Sequence, residues 1–173
     1  MSKFMGVAIA LVVGASPIGA FADSKADWFK AVINIRSTMS AGVSYRDFSK
    51  FEADADTAFE LAKLDGKLDK QTLADSQLLM MKIEFTNKVW SMSVNVATSG
   101  SPSEDGFFHK DSAVGQLMDA ANGVINPGQE LPTTALGGAP YYWRKKVLSI
   151  FFGGISDQAD RVLQDLKRRP KSS

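Results

Sequence analysis

The chain has no cysteine and only one histidine. Without thiols there is no disulfide framework, no thiolate metal site and no cysteine to carry a lipid. One histidine excludes the zinc helix His-Glu-x-x-His, and it leaves His109 as the sole imidazole for Ser–His–Asp catalysis. Neither charge sign dominates, with 20 Lys and Arg against 19 Asp and Glu. That balance disfavours nucleic acid, because phosphate binding needs a basic excess to displace counterions. A glycine-rich phosphate loop after a strand and a Gly-x-Ser-x-Gly elbow are also missing. No catalytic residue, metal site or cofactor is implied.

Long apolar runs are absent except at the N-terminus. There Met1-Ser2-Lys3 precedes the apolar run Phe4–Ala15, and Ala20-Phe21-Ala22 is a small-x-small cleavage signature. The run is too short to anchor permanently in a bilayer core about 30 Å thick. Residues 1–22 are therefore expected to be a cleaved secretory signal, leaving a single domain over 23–173. Removing Lys3 brings the charge to 19 cations against 19 acids. A periplasmic or secreted protein follows, held together by packing alone.

The rest of the chain reads as helices. Trp28, Val32, Ile35 and Met39 form one stripe over Lys25–Ser40, and Gly42 is placed as its stop. In Val43-Ser44-Tyr45-Arg46-Asp47-Phe48, Ser44 can cap the next helix with Asp47 as the returning acid, while Val43 and Phe48 take hydrophobic-staple positions. That helix runs from Tyr45 to about Asp65 with Phe48, Phe51, Ala55, Phe59 and Ala62 on one face. Glu52 and Asp56, four apart, read as a solvated margin. The turn Leu64–Asp69 superficially suits a calcium loop, but with Gly66 at the sixth position Leu61 and Lys63 would fall at the first and third ligands, so Asp69 is instead expected to be a helix cap.

Asp69–Ala97 is the longest periodic segment and carries two apolar stripes. Ala74, Leu78, Met81, Phe85, Val89, Met92 and Val96 form one; Leu79, Ile83, Trp90 and Val94 form the other. Two stripes require two sets of neighbours, which predicts the central helix of a bundle. A weaker helix is expected over Ser112–Ile125, capped by Asp111, with Val114, Leu117, Ala121 and Val124 inward. Pro140 suits the first position of a last helix, and its stripe shifts phase at Gly153-Gly154, which predicts a kink or a short break. The expected fold is all-α, four main helices plus a shorter one, with no sheet of consequence.

Two long loops, Thr98–Gly106 and Asn126–Ala139, each end in aromatic residues. Phe107, Phe108 and His109 follow the first; Tyr141, Tyr142 and Trp143 follow the second. Loops longer than about 12–15 residues are uncommon unless functional or disordered, and rings with polar tips bind ligands while remaining soluble. These six residues are the candidate ligand or partner surface. The groups can meet only if the second loop folds back along the intervening helix. A haem held by His109 and a methionine such as Met81, Met92 or Met118 is an alternative, although ordinary core filling explains those methionines. A small-molecule-binding bundle, and an enzyme without a recognisable motif, are further alternatives.

Ala41-Gly42-Val43-Ser44-Tyr45-Arg46-Asp47-Phe48, the acidic helix after it and Val89-Trp90 resemble small exported bacterial helical proteins of unassigned function. The resemblance implies export and a bundle, and it carries over no site residue. The expected function is a non-enzymatic binding or interaction protein, with another envelope or secreted protein as partner.

Overall fold

A computed structural model describes residues 24–96 and 106–168. The expected signal segment, most of the first long loop and residues 169–173 lie outside the described residues. Five helices dominate: α1 (Ser24–Ala41), α2 (Tyr45–Leu64), α3 (Lys70–Val96), α4 (Ala113–Ile125) and α5 (Arg144–Lys167). Between them, β1 (Phe107–His109), β2 (Thr134–Leu136) and β3 (Ala139–Trp143) form a small antiparallel sheet in the order β1-β3-β2. The helical architecture is as expected, and the sheet is the addition. No helix among the described residues is long and apolar enough to cross a membrane.

The first half follows its sequence signals closely. On α1, Trp28, Val32, Ile35 and Met39 are all buried. Gly42 turns the chain at φ +81°, a conformation that side chains resist. Ser44 accepts from the Asp47 amide at 3.2 Å, and its hydroxyl donates to the Asp47 carboxylate at 2.6 Å. The box thus closes on the hydroxyl rather than on the Ser44 amide. Asp69 accepts from both the amide and the hydroxyl of Thr72 at 2.8 Å, capping α3.

On α3 the sequence reading needs correction. It does lie centrally, packed against α2, α4 and α5. Of the first expected stripe, however, only Val89 is buried; Met81 and Val96 are exposed and Phe85 is half-buried. The seam that faces the neighbours is Thr72, Ser76, Leu79, Ile83, Thr86, Trp90 and Ser93, with alternating spacings of four and three. Small hydroxyl residues let helices approach closely, and each finds a hydrogen-bond partner. Thr86 donates to the Lys82 carbonyl at 2.9 Å, Ser93 to the Trp90 carbonyl at 2.8 Å, and Ser76 accepts from the Trp28 indole at 3.0 Å.

Two apolar clusters result. One joins α1 and α2 to the N-terminal half of α3 and the C-terminal half of α5. The other joins the C-terminal half of α3, α4, the sheet and the N-terminal half of α5. Trp90 and Phe152 pack against both.

The second half departs further from expectation. Ser112, not Asp111, caps α4, accepting from the Gly115 amide at 3.1 Å. The inward face of α4 is Val114, Met118, Ala121 and Ile125, while Leu117 and Val124 are half-buried. Gly115 is obligatory here, since a Cβ would meet the His109 and Lys110 carbonyl oxygens at 2.3 Å. Pro140 belongs to β3, not to a helix start, and α5 begins only at Arg144. The reason lies just upstream. Gly137 and Gly138 take φ +60° and +85° between paired Leu136 and Ala139, making a two-residue hairpin with both centre residues left-handed. The Pro140 carbonyl accepts from the Lys110 amide at 3.0 Å, facing the strand end where no donor is asked of proline. Nor does α5 break at Gly153-Gly154. A Cβ on Gly154 would lie 2.6 Å from both Asn126 Oδ1 and Ile125 Cγ2, so that glycine seats the end of α4.

Candidate functional site

All six aromatic-loop residues lie in one strand pair. The register sets Phe107 against Trp143, Phe108 against Tyr142, and His109 against Tyr141. The two groups therefore meet by hydrogen-bonded pairing, after residues 126–138 have brought the chain back from the end of α4 to β1. Alternation divides them into two faces. Phe108 and Tyr142 point inward and are 4% and 1% exposed, so they belong to the core. Phe107, His109, Tyr141 and Trp143 share the outer face.

On that outer face Phe107 and Trp143 stack with centroids 5.9 Å apart and planes 12° from parallel. His109 meets Tyr141 edge-on at 5.2 Å. Thr134, paired with Tyr141, and Leu136, paired with Ala139, extend the same face onto β2. Trp143 is 39% exposed and Leu136 38%.

The anchoring is firm. Tyr142 donates its hydroxyl to Asp119 Oδ1 at 2.6 Å, and the Arg144 amide donates to the Gly106 carbonyl at 2.7 Å. Arg144 Nη1 also donates to the Ser93 carbonyl at 3.2 Å, tying the start of α5 to the end of α3. His109 Nδ1 accepts from the Asp111 amide at 3.1 Å. With Nδ1 engaged as an acceptor, the neutral ring carries its proton on Nε2. The face thus presents ring area, one phenol and one imidazole N–H, a chemistry suited to contact. Of the methionines weighed for a haem, Met118 is fully buried in the second cluster, Met92 packs half-buried against it, and Met81 lies on the α2–α3 surface.

Three surface hollows are independent of the sheet. One of about 390 Å³ has Lys25, Lys67 and Lys167 around Phe29 and Leu166, with Lys67 ion-paired to Asp65 at 3.0 Å. A second, about 530 Å³, gathers Glu52, Asp56 and Glu84 beside Met80 and Met81. Burial raises the Glu52 carboxyl above its ordinary value against a hydrogen bond from Asn87, with Glu84 and Asp56 adding to the rise. Among the described residues, no group of three or more His, Asp or Glu is arranged to hold a metal ion. The third, about 660 Å³, lies between the α1–α2 corner and α5, over Trp90 and Phe152. Sequence reasoning missed it because its lining comes from three separate segments.

The fold and the outer sheet face define a class, a helical protein with a small aromatic sheet on one flank. Compared with known proteins, the chain matches no family model, no curated protein and no solved structure.

Proposed function

We propose that the protein is an exported, non-enzymatic binding module that engages a partner protein through the outer face of its sheet. The observation that carries this reading is the stack of half-buried Phe107 on exposed Trp143, flanked by His109 and Tyr141. Rigid rings lose little side-chain entropy on binding, and Trp and Tyr are the residues most enriched where interfaces concentrate their energy. Export rests on the order of charge, apolar run and small residues in 1–22.

Affinity capture from an envelope extract tests it, with wild type beside the Phe107→Ala/Trp143→Ala double variant. The wild type should retain a discrete partner that the variant loses while its circular dichroism melt stays close to wild type. Equal capture by both proteins would remove the sheet face from consideration. A small molecule turned over by the purified protein would replace the binding reading with an enzymatic one.

A further inference from the structure

The third hollow has features that packing does not explain. Its floor is Trp90 and Phe152, with rings 5.6 Å apart, and Leu148, Met39 and Val43 adjoin them. Trp90 and Phe152 are where the two apolar clusters meet, yet both remain half-buried. The seam between the cores is therefore open at this place. At about 660 Å³ the groove lies within the roughly 300–1,000 Å³ usual for small-molecule sites.

Gly153 lines the groove from α5. A glycine inside a helix costs about 1 kcal/mol against alanine. For Gly154 that cost has a reason, the close seat of α4. For Gly153 the protein supplies none: a Cβ there would meet nothing within 4 Å. The missing side chain leaves the groove wider at this point.

Charge gives the groove a direction. Lys145 stands at one end, in the first turn of α5, which has no acidic residue. It forms no ion pair with the described residues. Asp157 stands at the other end, twelve residues on, roughly 18 Å along a helix that rises 1.5 Å per residue. The helix dipole acts in the same sense, with its positive end at Lys145. An anionic head is favoured at Lys145 and opposed at Asp157, and the apolar floor lies between them.

We propose that this groove binds a single-chain anionic amphiphile, its head against Lys145 and its alkyl chain over Trp90 and Phe152 past Gly153. This site is separate from the sheet face, and either can fail without the other.

The test uses the full chain carrying Trp143→Phe, which leaves Trp28 and Trp90 as emitters. Dodecanoate is titrated by calorimetry, and a terminally brominated undecanoate by quenching of tryptophan emission. Bromine quenches indole on contact, and Trp28 is fully buried, so the quenching reports Trp90. Saturable quenching is expected, and adding Trp90→Phe should abolish it. Gly153→Phe starts from a position where a Cβ meets nothing within 4 Å and puts a ring into the groove; it should weaken dodecanoate at least about tenfold, with Gly153→Leu as a smaller filler. Lys145→Glu should weaken dodecanoate while leaving dodecanol unchanged. Thermal melts of each variant confirm that the fold persists. Quenching without saturation, or undiminished binding by both Gly153 variants, would overturn the site. Equal loss of dodecanoate and dodecanol with Lys145→Glu would overturn the assignment of the head.

Discussion

Gln158 gives two hydrogen bonds to one residue, Asp75, from its Nε2 to the backbone carbonyl and to carboxylate Oδ1, each at 3.0 Å. Gln158 is 1% exposed, and its own oxygen has no partner among the described residues. Asp165, 6% exposed, lies on the same side of α5 and hydrogen-bonds to the Asp75 carboxylate. Two carboxyls this close share one proton, and the environment decides which keeps it. Burial, then the Asp75 contact, raises Asp165, although Arg168 at 3.1 Å works against the rise. Burial also acts on Asp75, but bonds from Gln71, Gln158 and Asp165 outweigh it and hold that carboxyl low.

The first prediction is a pH dependence with a definite sign. A carboxyl raised in the folded state adds stability below its ordinary value of 3.8, and that stability is lost as pH rises through the raised value. Asp165→Asn keeps a hydrogen donor for Asp75 and cannot ionise. It should match wild type in acid and exceed it at neutral pH, measured as urea midpoints across the range. Asp75→Asn should do the opposite, because a depressed carboxyl contributes above its ordinary value and loses that contribution as pH falls. An Asp165→Asn protein less stable at pH 7 would show that Asp165 is ionised and held by Arg168.

The second prediction separates the adjacent glycines. Gly154→Ala pushes a methyl group to 2.6 Å from Asn126 Oδ1 and Ile125 Cγ2, and overpacking of this kind costs about 1–3 kcal/mol. Gly153→Ala meets nothing within 4 Å and should gain about 1 kcal/mol from helix propensity. Thermal melts read both. Equal shifts of the same sign would mean that α4 does not seat on Gly154.

The third prediction follows from the corrected face of α3. Phe59 is 4% exposed and meets Trp28 at a centroid distance of 5.1 Å, so Phe59→Ala should cost about 3–5 kcal/mol. Phe85 is half-buried, with Lys88 Nζ 5.5 Å from its ring centroid, so Phe85→Ala should cost roughly half as much. Equal losses in urea would restore the apolar stripe to the core.

The contrast between those phenylalanines shows what could be read from the sequence. On α1 and α2 the buried residues are also the apolar ones, so periodicity located them. On α3 the inner seam is built largely of Thr72, Ser76, Thr86 and Ser93, small spacers whose hydroxyls bond locally or, for Ser76, accept from the Trp28 indole. A count of apolar residues assigns such positions to the margin. Lys82 shows the same inversion: it is 7% exposed, its Nζ donates to the Gly154 carbonyl at 3.3 Å, and burial, with Arg161 second, lowers its pKa. The sheet was legible in part. Pro140 looked like a helix start, but Gly137-Gly138 before an apolar run was a hairpin signal. The meeting of His109 with Tyr141 followed from no periodicity at all, because pairing of separate strands is a tertiary choice.

The last prediction concerns Tyr142, whose ring is buried while its hydroxyl reaches Asp119 on the exposed side of α4. Burial first, then the hydrogen bond to the Asp119 carboxylate, pushes the phenol far above its ordinary value of 10.0. The sign follows from linkage. The folded protein holds this proton more tightly than the unfolded chain, so the stabilisation is complete below pH 10.0 and is lost as pH rises beyond it. Tyr142→Phe keeps the ring in the second core and removes the hydroxyl. At neutral pH it should cost about 1 kcal/mol, because the accepting carboxylate remains in contact with water and can be resolvated. In alkali the wild type must pay to ionise a buried phenol and the variant has none, so their stabilities should converge. Urea midpoints of the two proteins at neutral and alkaline pH measure the gap directly. A gap that stays constant with pH would show that the Tyr142 hydroxyl is open to solvent, and that the β3 strand does not bury its inward ring against α4.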